Sequence, residues 1–320
     1  MKIAFVGKGG SGKTTLAASF SAYLESREEN ILTVDADLNM HLGELLGFQT
    51  LPQEQHISHP TAAETVKKYL MGENPRIAST AHFKKTTPPG RGSRLLRIDS
   101  KNTLFDKYTL QRNKTQFMVV GTYNEEGVGA SCYHNNLAIL ENVLSHTIDE
   151  NGTIVVDMVA GVDAFASSLH AQFDLLVIVV EPTKRSIEVF NQYLTLAKEA
   201  GVADSLVAIG NKMKSTEDRV FISEAIPTEK LVGFFNESKY LEELDRTGGA
   251  LDITKLESEN TKLLSIIFEK AQSAIIDSDT RLKLLHNLHL RYIAQAFVIE
   301  RFGDLAHQID PTFSYRQDKP

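Results

Sequence analysis

The stretch Val6–Thr15, "VGKGGSGKTT", holds four glycines and two lysines. Gly7, Gly12, Lys13 and Thr14 satisfy the spacing G-x-x-x-x-G-K-[ST] of a phosphate-binding loop. The spacing has a physical cause: glycines let the backbone curl until successive N–H groups point inward at phosphate oxygens. Lys13 is placed to reach the β- and γ-phosphates and the Thr14 hydroxyl to coordinate Mg²⁺, while the next helix offers its positive end. Gly9, Gly10, Ser11 and Thr15 complete the cradle. The same residues also spell G-x-G-x-x-G through Gly7, Gly9 and Gly12, with Asp35 where a dinucleotide fold keeps its ribose carboxylate. Lys13 and Thr14 decide for a triphosphate. A pyrophosphate diester needs neither a cationic side chain nor a metal-binding hydroxyl.

Outward from this loop, short β-branched runs alternate with helical patterns. Residues 2–6, 31–35, 153–157, 175–180, 206–210 and 230–234 read as buried strands, and 13–28, 184–199 and 237–246 as helices. Strands that are apolar on both faces and separated by helices predict an α/β fold with a mostly parallel, doubly wound sheet. A P-loop ATPase domain is expected over 1–250 and a helical extension over 251–320. A basic, loop-rich insertion at about 72–114 is punctuated by Pro75, Pro88, Pro89, Gly90 and Gly92. It is expected to form a hairpin from 94–98 and 103–110. The final residues, 314–320, are expected to fray.

The chain has 320 residues, a formal net charge of −7 and 42% hydrophobic residues. The acidic balance argues against general affinity for nucleic acid. A single cysteine, Cys132, excludes an intramolecular disulfide and suits a reducing compartment. Four apolar residues in a row near the start are too few for a signal-peptide core. The apolar run 175–180 is far below the roughly 20 residues of a membrane span. These features predict a cytoplasmic protein with no membrane partner.

Further carboxylates should stand near the loop. Asp157, closing "TIVVD", fits the strand-end acid that supports Mg²⁺, with Gly161 as the hinge of a γ-phosphate-sensing loop. "VDADLN" places Asp35 and Asp37 after the second strand; two carboxylates so close imply a metal ion or a water to orient. In "GNKMK", Asn211 and Lys212 resemble the base-reading N-K-x-D, but Lys214 stands where a guanine reader needs Asp, so adenine is favoured and the nucleotide is ATP.

Lys8, just after the first glycine, has no task within one phosphate cradle. "GKGGSGKTT" resembles the deviant Walker A loop of the MinD/ParA, arsenite-pump and nitrogenase-iron-protein class of dimeric ATPases, and "DADLN", "DMVAG" and "GNK" follow in that class's order. The resemblance covers about 1–250. It implies a nucleotide-dependent homodimer in which Lys8 reaches the partner's phosphates, as an arginine finger does in trans, a device worth about 10³–10⁵ in rate. It also implies that Asp37 orients the attacking water and that Asp35 supports the metal region. Lys8, Lys13 and Asp37 are thus the expected catalytic set.

"EEGVGASCYHNNLAILENVLSH", 125–146, together with "TIVVDMVAGVDAF" and "FDLLVIVVEPTKRSIE", is similar to the carbon-monoxide-dehydrogenase nickel-insertion (CooC-type) ATPases. That subfamily carries Cys-x-Cys at a helix start; here Cys132 takes the first position and His134 the second. Two residues apart in an extended segment, they face one side. A two-fold axis would assemble Cys₂His₂, a set that suits Zn²⁺ and can hold Ni²⁺. Two cysteines per dimer fall short of an iron–sulfur cluster. Beside this stands the structural alternative, a buried cysteine followed by His134, Asn135 and Asn136 capping a helix that begins near 137. The resemblance implies a client metalloenzyme as partner.

Two features remain. The cations Lys84, Lys85, Arg91, Arg94, Arg97, Lys101, Lys107, Arg112 and Lys114 face only Asp99 and Asp106 in their stretch. They form either a solvated insertion or a surface for DNA or an acidic partner, the basis of an alternative ParA/MinD-like partitioning role with salt-dependent DNA binding. Towards the end, Leu282, Leu285, Leu288, Tyr292, Ala296 and Ile299 recur at helical spacing, with His286 and His289 as packing histidines or metal ligands.

Overall fold

The structure, a computed structural model, describes residues 1–122, 134–165 and 168–318; of 134, 135, 163, 317 and 318 it describes the backbone alone. Ten strands are described: β1 (Lys2–Gly7), β2 (Ile31–Ala36), β3 (Leu96–Arg97), β4 (Leu110–Arg112), β5 (Thr115–Val119), β6 (Thr147–Ile148), β7 (Thr153–Met158), β8 (Leu175–Val180), β9 (Leu206–Met213) and β10 (Leu231–Asn236). The helices are α1 (Lys13–Ser26), α2 (Leu42–Leu45), α3 (Pro60–Met71), α4 (Thr103–Tyr108), α5 (His134–Ser145), α6 (Lys184–Glu199), α7 (Thr216–Ala225), α8 (Lys239–Thr247), α9 (Ser258–Ser273), α10 (Ser278–Ile293) and α11 (Ala296–Phe302).

The main sheet runs β10-β9-β8-β1-β7-β2-β5-β4. Every pairing in it is parallel except β4 with β5. This is the expected doubly wound α/β architecture. Alternate residues of β1 enter different cores: Ala4 and Val6 pack on one face, Ile3 and Phe5 on the other. Burial of both faces explains why the central strands read as unbroken apolar runs. Helix α1, whose Leu16, Phe20 and Leu24 are fully buried, is thereby pinned behind the loop that precedes it. Each such side chain contributes about 1.5–3 kcal/mol of burial energy.

Beyond residue 250, α9 joins the second core through Leu263, Leu264, Ile267 and Phe268, and lies against α1 and β10. Asp174, wholly buried before β8, ties the next segment down. Its Oδ2 accepts the Lys2 N–H at 2.7 Å, and its Oδ1 accepts the Ile276 N–H at 2.7 Å and a hydrogen bond from the Arg281 guanidinium.

Several expectations are corrected. No hairpin joins 94–98 to 103–110: β3 pairs in parallel with β6, and 103–108 is helical. The hairpin lies further on, where Asn113, at φ 52°, turns β4 back onto β5. The tail does not fray at Ser314 and Tyr315. The Tyr315 hydroxyl donates to Ser145 O, its ring is buried against Phe313, and Ser314 Oγ lies 2.8 Å from Asp279 Oδ1. Helix α5 begins at 134 rather than near 137. The apolar stripe of the last helices is cut at Gln295, whose ψ of 134° separates α10 from α11, leaving Ile299 exposed. The buried positions of α10 and α11 are Arg281, Leu282, Leu285, His289, Ile293 and Val298.

His289 is fully buried on α10, with Nδ1 2.9 Å from Thr86 Oγ1. Burial, helped by the neighbouring His286 and His307 against hydrogen bonds at Leu305 and Thr86, pushes its pKa down to about 4. An unfolded histidine titrates near 6.5. Between pH 7 and 5 the unfolded chain therefore binds the proton that the folded chain refuses, and stability falls as pH falls. In urea titrations the wild type is expected to lose about 2 kcal/mol more than His289→Asn over that interval. Equal losses would reject the burial argument.

Candidate functional site

Strand register assembles the site at the carboxyl edge of the sheet. Asp157 stands opposite Phe5 of β1 on one side and Asp35 of β2 on the other, so both carboxylates flank the loop that leaves β1. Within the loop Gly12 has φ 94°, and a Cβ there would lie 2.2 Å from the Asn211 Nδ2 atom. Only glycine lets Asn211 approach closely enough to donate to Ser11 O at 2.7 Å.

Thr14, in the first turn of α1, donates from Oγ1 to Asp157 Oδ2 at 2.6 Å. The other oxygen, Asp157 Oδ1, is buried with no hydrogen-bond partner among the described residues. Burial, then the charge of Asp35, raises the Asp157 pKa well above the usual carboxylate range, against the Thr14 hydrogen bond and Lys13. Burial likewise pushes Asp35 up to about 7, although the Asp37 and Leu42 N–H groups, 3.2 and 3.0 Å from its two oxygens, favour its charged form. Two adjacent buried carboxyls, one orphaned oxygen and a hydroxyl form a hard-donor set short of positive charge. They fit a small divalent cation such as Mg²⁺. Both Asp35 oxygens already accept backbone N–H groups, so Asp35 stands behind Thr14 and Asp157.

Lys13 is buried, with Nζ 3.4 Å from Lys8 O and 4.0 Å from Asp37 Oδ2. Asp37 Oδ1 accepts the Asn39 N–H at 3.1 Å. Lys13, Thr14, Thr15, Asp37 and Asn211 all line one cleft of 760 Å³, whose far wall carries Glu237, Glu242 and Asp245. Lys8 lies outside that lining. Its ammonium is 3.6 Å from Glu181 Oε2. Lys212 reaches the same carboxylate, 2.9 Å from Oε1, and donates to Gly10 O at 2.7 Å. Lys214 pairs with Glu237 at 2.9 Å.

The structure thus brings together Gly7–Thr15, Asp35, Asp37, Asp157, Asn211 and Lys212. The Cys132 expectation lies outside the described residues, as does the His134 side chain. Among the described residues no three His, Cys, Asp or Glu side chains are grouped to hold a metal. Sequence reasoning missed Glu181 and the acidic far wall. The available signal for Glu181 was its place directly after the apolar run 175–180, a carboxylate at a strand end beside the loop.

The profile of the CbiA family, described as the CobQ/CobB/MinD/ParA nucleotide binding domain, matches residues 3–315. The chain belongs to this family. Similar curated proteins include an uncharacterized ATP-binding protein of Methanocaldococcus jannaschii, 28% identical over 239 residues, 73% of this chain and 84% of the relative. Another is the carbon monoxide dehydrogenase accessory protein CooC of Rhodospirillum rubrum, 26% identical over 249 residues, covering 78% and 88% of the two chains. Among solved structures, the cell division ATPase MinD of Pyrococcus furiosus superposes with a TM-score of 0.55 at 19% identity, over 86% of this chain and 99% of that one. The likeness to MinD shows the CbiA-type fold. Among the described residues no helix is long and apolar enough to cross a membrane.

Proposed function

We propose that this chain is a homodimeric, Mg²⁺-dependent ATPase of the MinD/CooC type, a nucleotide-driven switch that serves as a metal-insertion or maturation accessory protein. The observation that carries it is the division of labour between the two loop lysines: Lys13 lines the cleft, whereas Lys8 is held outside it. On this reading the amides of residues 7–15 and the Lys13 ammonium bind the triphosphate of ATP, and Asn211 and Lys212 lie on the side of the base. Asp37, 4.0 Å from Lys13, holds the attacking water and takes its proton. Lys8 enters the partner's cleft and stabilises charge on the transferred phosphoryl group. Thr14 and Asp157 would hold Mg²⁺, supported by Asp35, and the ion would neutralise charge on the phosphate oxygens. Residues 1–250 carry this machinery, and 251–320 form the helical extension.

The accessory role draws on the similarity to CooC, with Cys132 and His134 of two protomers offering four N/S ligands for Zn²⁺ or Ni²⁺ at the dimer interface. Partitioning on DNA is the weaker reading. The cations it would use are scattered among separate partners: Arg91 on Asp310, Arg94 over Tyr69, and Arg112 on Glu25. Sedimentation with and without a non-hydrolysable ATP analogue tests the switch: dimers are expected only with the analogue. After chelation and reloading, that dimer is expected to retain about one Zn²⁺ or Ni²⁺ and the Cys132→Ser dimer none. Equal metal content in the two would remove the metal role and leave the ATPase.

A further inference from the structure

Glu181 is the residue after β8, the strand hydrogen-bonded to β1 beneath the phosphate loop; Gly7 and Val179 are direct partners across the two. Its place is rigid. The Glu181 N–H donates to Ser186 Oγ at 3.0 Å, and Thr183 caps α6 immediately afterwards. The side chain is 16% exposed, against 38% for Lys8 and 47% for Lys212. One largely buried carboxylate therefore faces two more exposed ammonium groups, each on its own oxygen, at 3.6 Å for Lys8 and 2.9 Å for Lys212. Lys212, the penultimate residue of β9, also donates to Gly10 O, so Glu181 and Lys212 together tie the end of β9 to the phosphate loop. Without the carboxylate the two ammonium groups would repel each other at close range.

We propose that Glu181 is a latch: it keeps Lys8 folded against its own protomer and releases it only when nucleotide draws two chains together. The proposal rests on the trans role of Lys8 and makes Glu181 a positioning residue, with no contact to the phosphates. The longer Lys8 pair is the one that must open, and the tighter Lys212 pair keeps the carboxylate in place while it does. A partly exposed ion pair shifts an equilibrium by about 1.4- to 4.5-fold. A dimer must open two such latches, so removing both strengthens association by the square of that factor, about 2- to 20-fold. The cost of opening weakens dimers at low nucleotide and so links association to the ligand.

The test compares wild type, Glu181→Gln, Lys8→Ala and the double variant. In the nucleotide-free proteins, lysines are labelled with limiting acetic anhydride and quantified by mass spectrometry against exposed Lys198. Glu181→Gln is expected to label severalfold more at Lys8. In sedimentation with Mg²⁺ and a non-hydrolysable ATP analogue, Glu181→Gln is expected to dimerise about 2- to 20-fold more tightly. That gain should vanish in the Lys8→Ala background. Unchanged Lys8 labelling, an unchanged or weaker dimer, or a gain that persists without Lys8 would overturn the latch; a weaker dimer would mean that Glu181 receives the partner's lysine instead. Failure of wild-type protein to dimerise with the analogue would sink the functional reading, and the labelling would still decide whether Glu181 restrains Lys8.

Discussion

Lys8→Ala is expected to lower ATP turnover by about 10³-fold or more while nucleotide affinity stays within a few-fold of wild type. Lys8 is not among the residues that line the cleft with Lys13, Thr14 and Asp37, and its ion pair to Glu181 is partly exposed. Such a pair contributes about 0–1 kcal/mol to stability, so the folded protomer loses little. A cation delivered to a triphosphate across a dimer axis acts on charge that develops in the transition state, and its loss falls on kcat rather than on binding. Lys13→Ala should differ in kind. Lys13 lies in the cleft itself, so its removal should weaken binding as well. Steady-state turnover and titration of a fluorescent nucleotide separate the two cases. A Lys8→Ala enzyme within threefold of wild type would show that the lysine is an ordinary loop residue.

The largest expected effect on stability belongs to Arg281. Its guanidinium and the wholly buried Asp174 carboxylate form an ion pair that joins α10 to the segment before β8, and Asp174 also accepts the N–H groups of Lys2 and Ile276. Arg281→Met leaves that carboxylate buried with its backbone donors but without its ion-pair partner. Breaking a buried pair on one side costs about 3–5 kcal/mol, far more than the pair contributes when whole. Urea denaturation is expected to show this loss. Asp174→Asn in the same chain should recover part of it, because the second change removes the stranded charge. A loss below about 1 kcal/mol would mean that the Arg281–Asp174 pair does not hold α10 in place.

The site was more legible in the sequence than the edges of the fold. The phosphate loop is local: Gly7 to Thr15 encode their own turn, so fold and ligand class follow from one continuous stretch. The five central strands β1, β2, β7, β8 and β9 were legible for a related reason, since burial of both faces leaves apolar runs such as "LLVIVV". Strand β5 was not, because Thr115 and Gln116 dilute its apolar signal and its place beside β2 comes from tertiary pairing. The break between α10 and α11 is marked by neither proline nor glycine; the helical period runs through Gln295 unbroken on paper. Glu181 was not singled out because Lys8 and Lys212, the lysines it pairs with, lie far from it in sequence. Asp35 stands adjacent to Asp157 as expected, yet its two oxygens go to backbone N–H groups, which the spacing "DAD" does not reveal.

If Lys8 acts in trans, each cleft is completed by a lysine from another copy of the chain, and mixing two inactive variants distinguishes this from a role within one protomer. Lys8→Ala lacks the donated lysine but keeps Asp37; Asp37→Ala keeps its lysine but lacks the water-positioning carboxylate. In a mixed dimer one cleft regains both groups. With random pairing, half the dimers are mixed and each has one complete site of two, so turnover should recover to about a quarter of wild type. Turnover that stays at the sum of the two separate variants would contradict the claim.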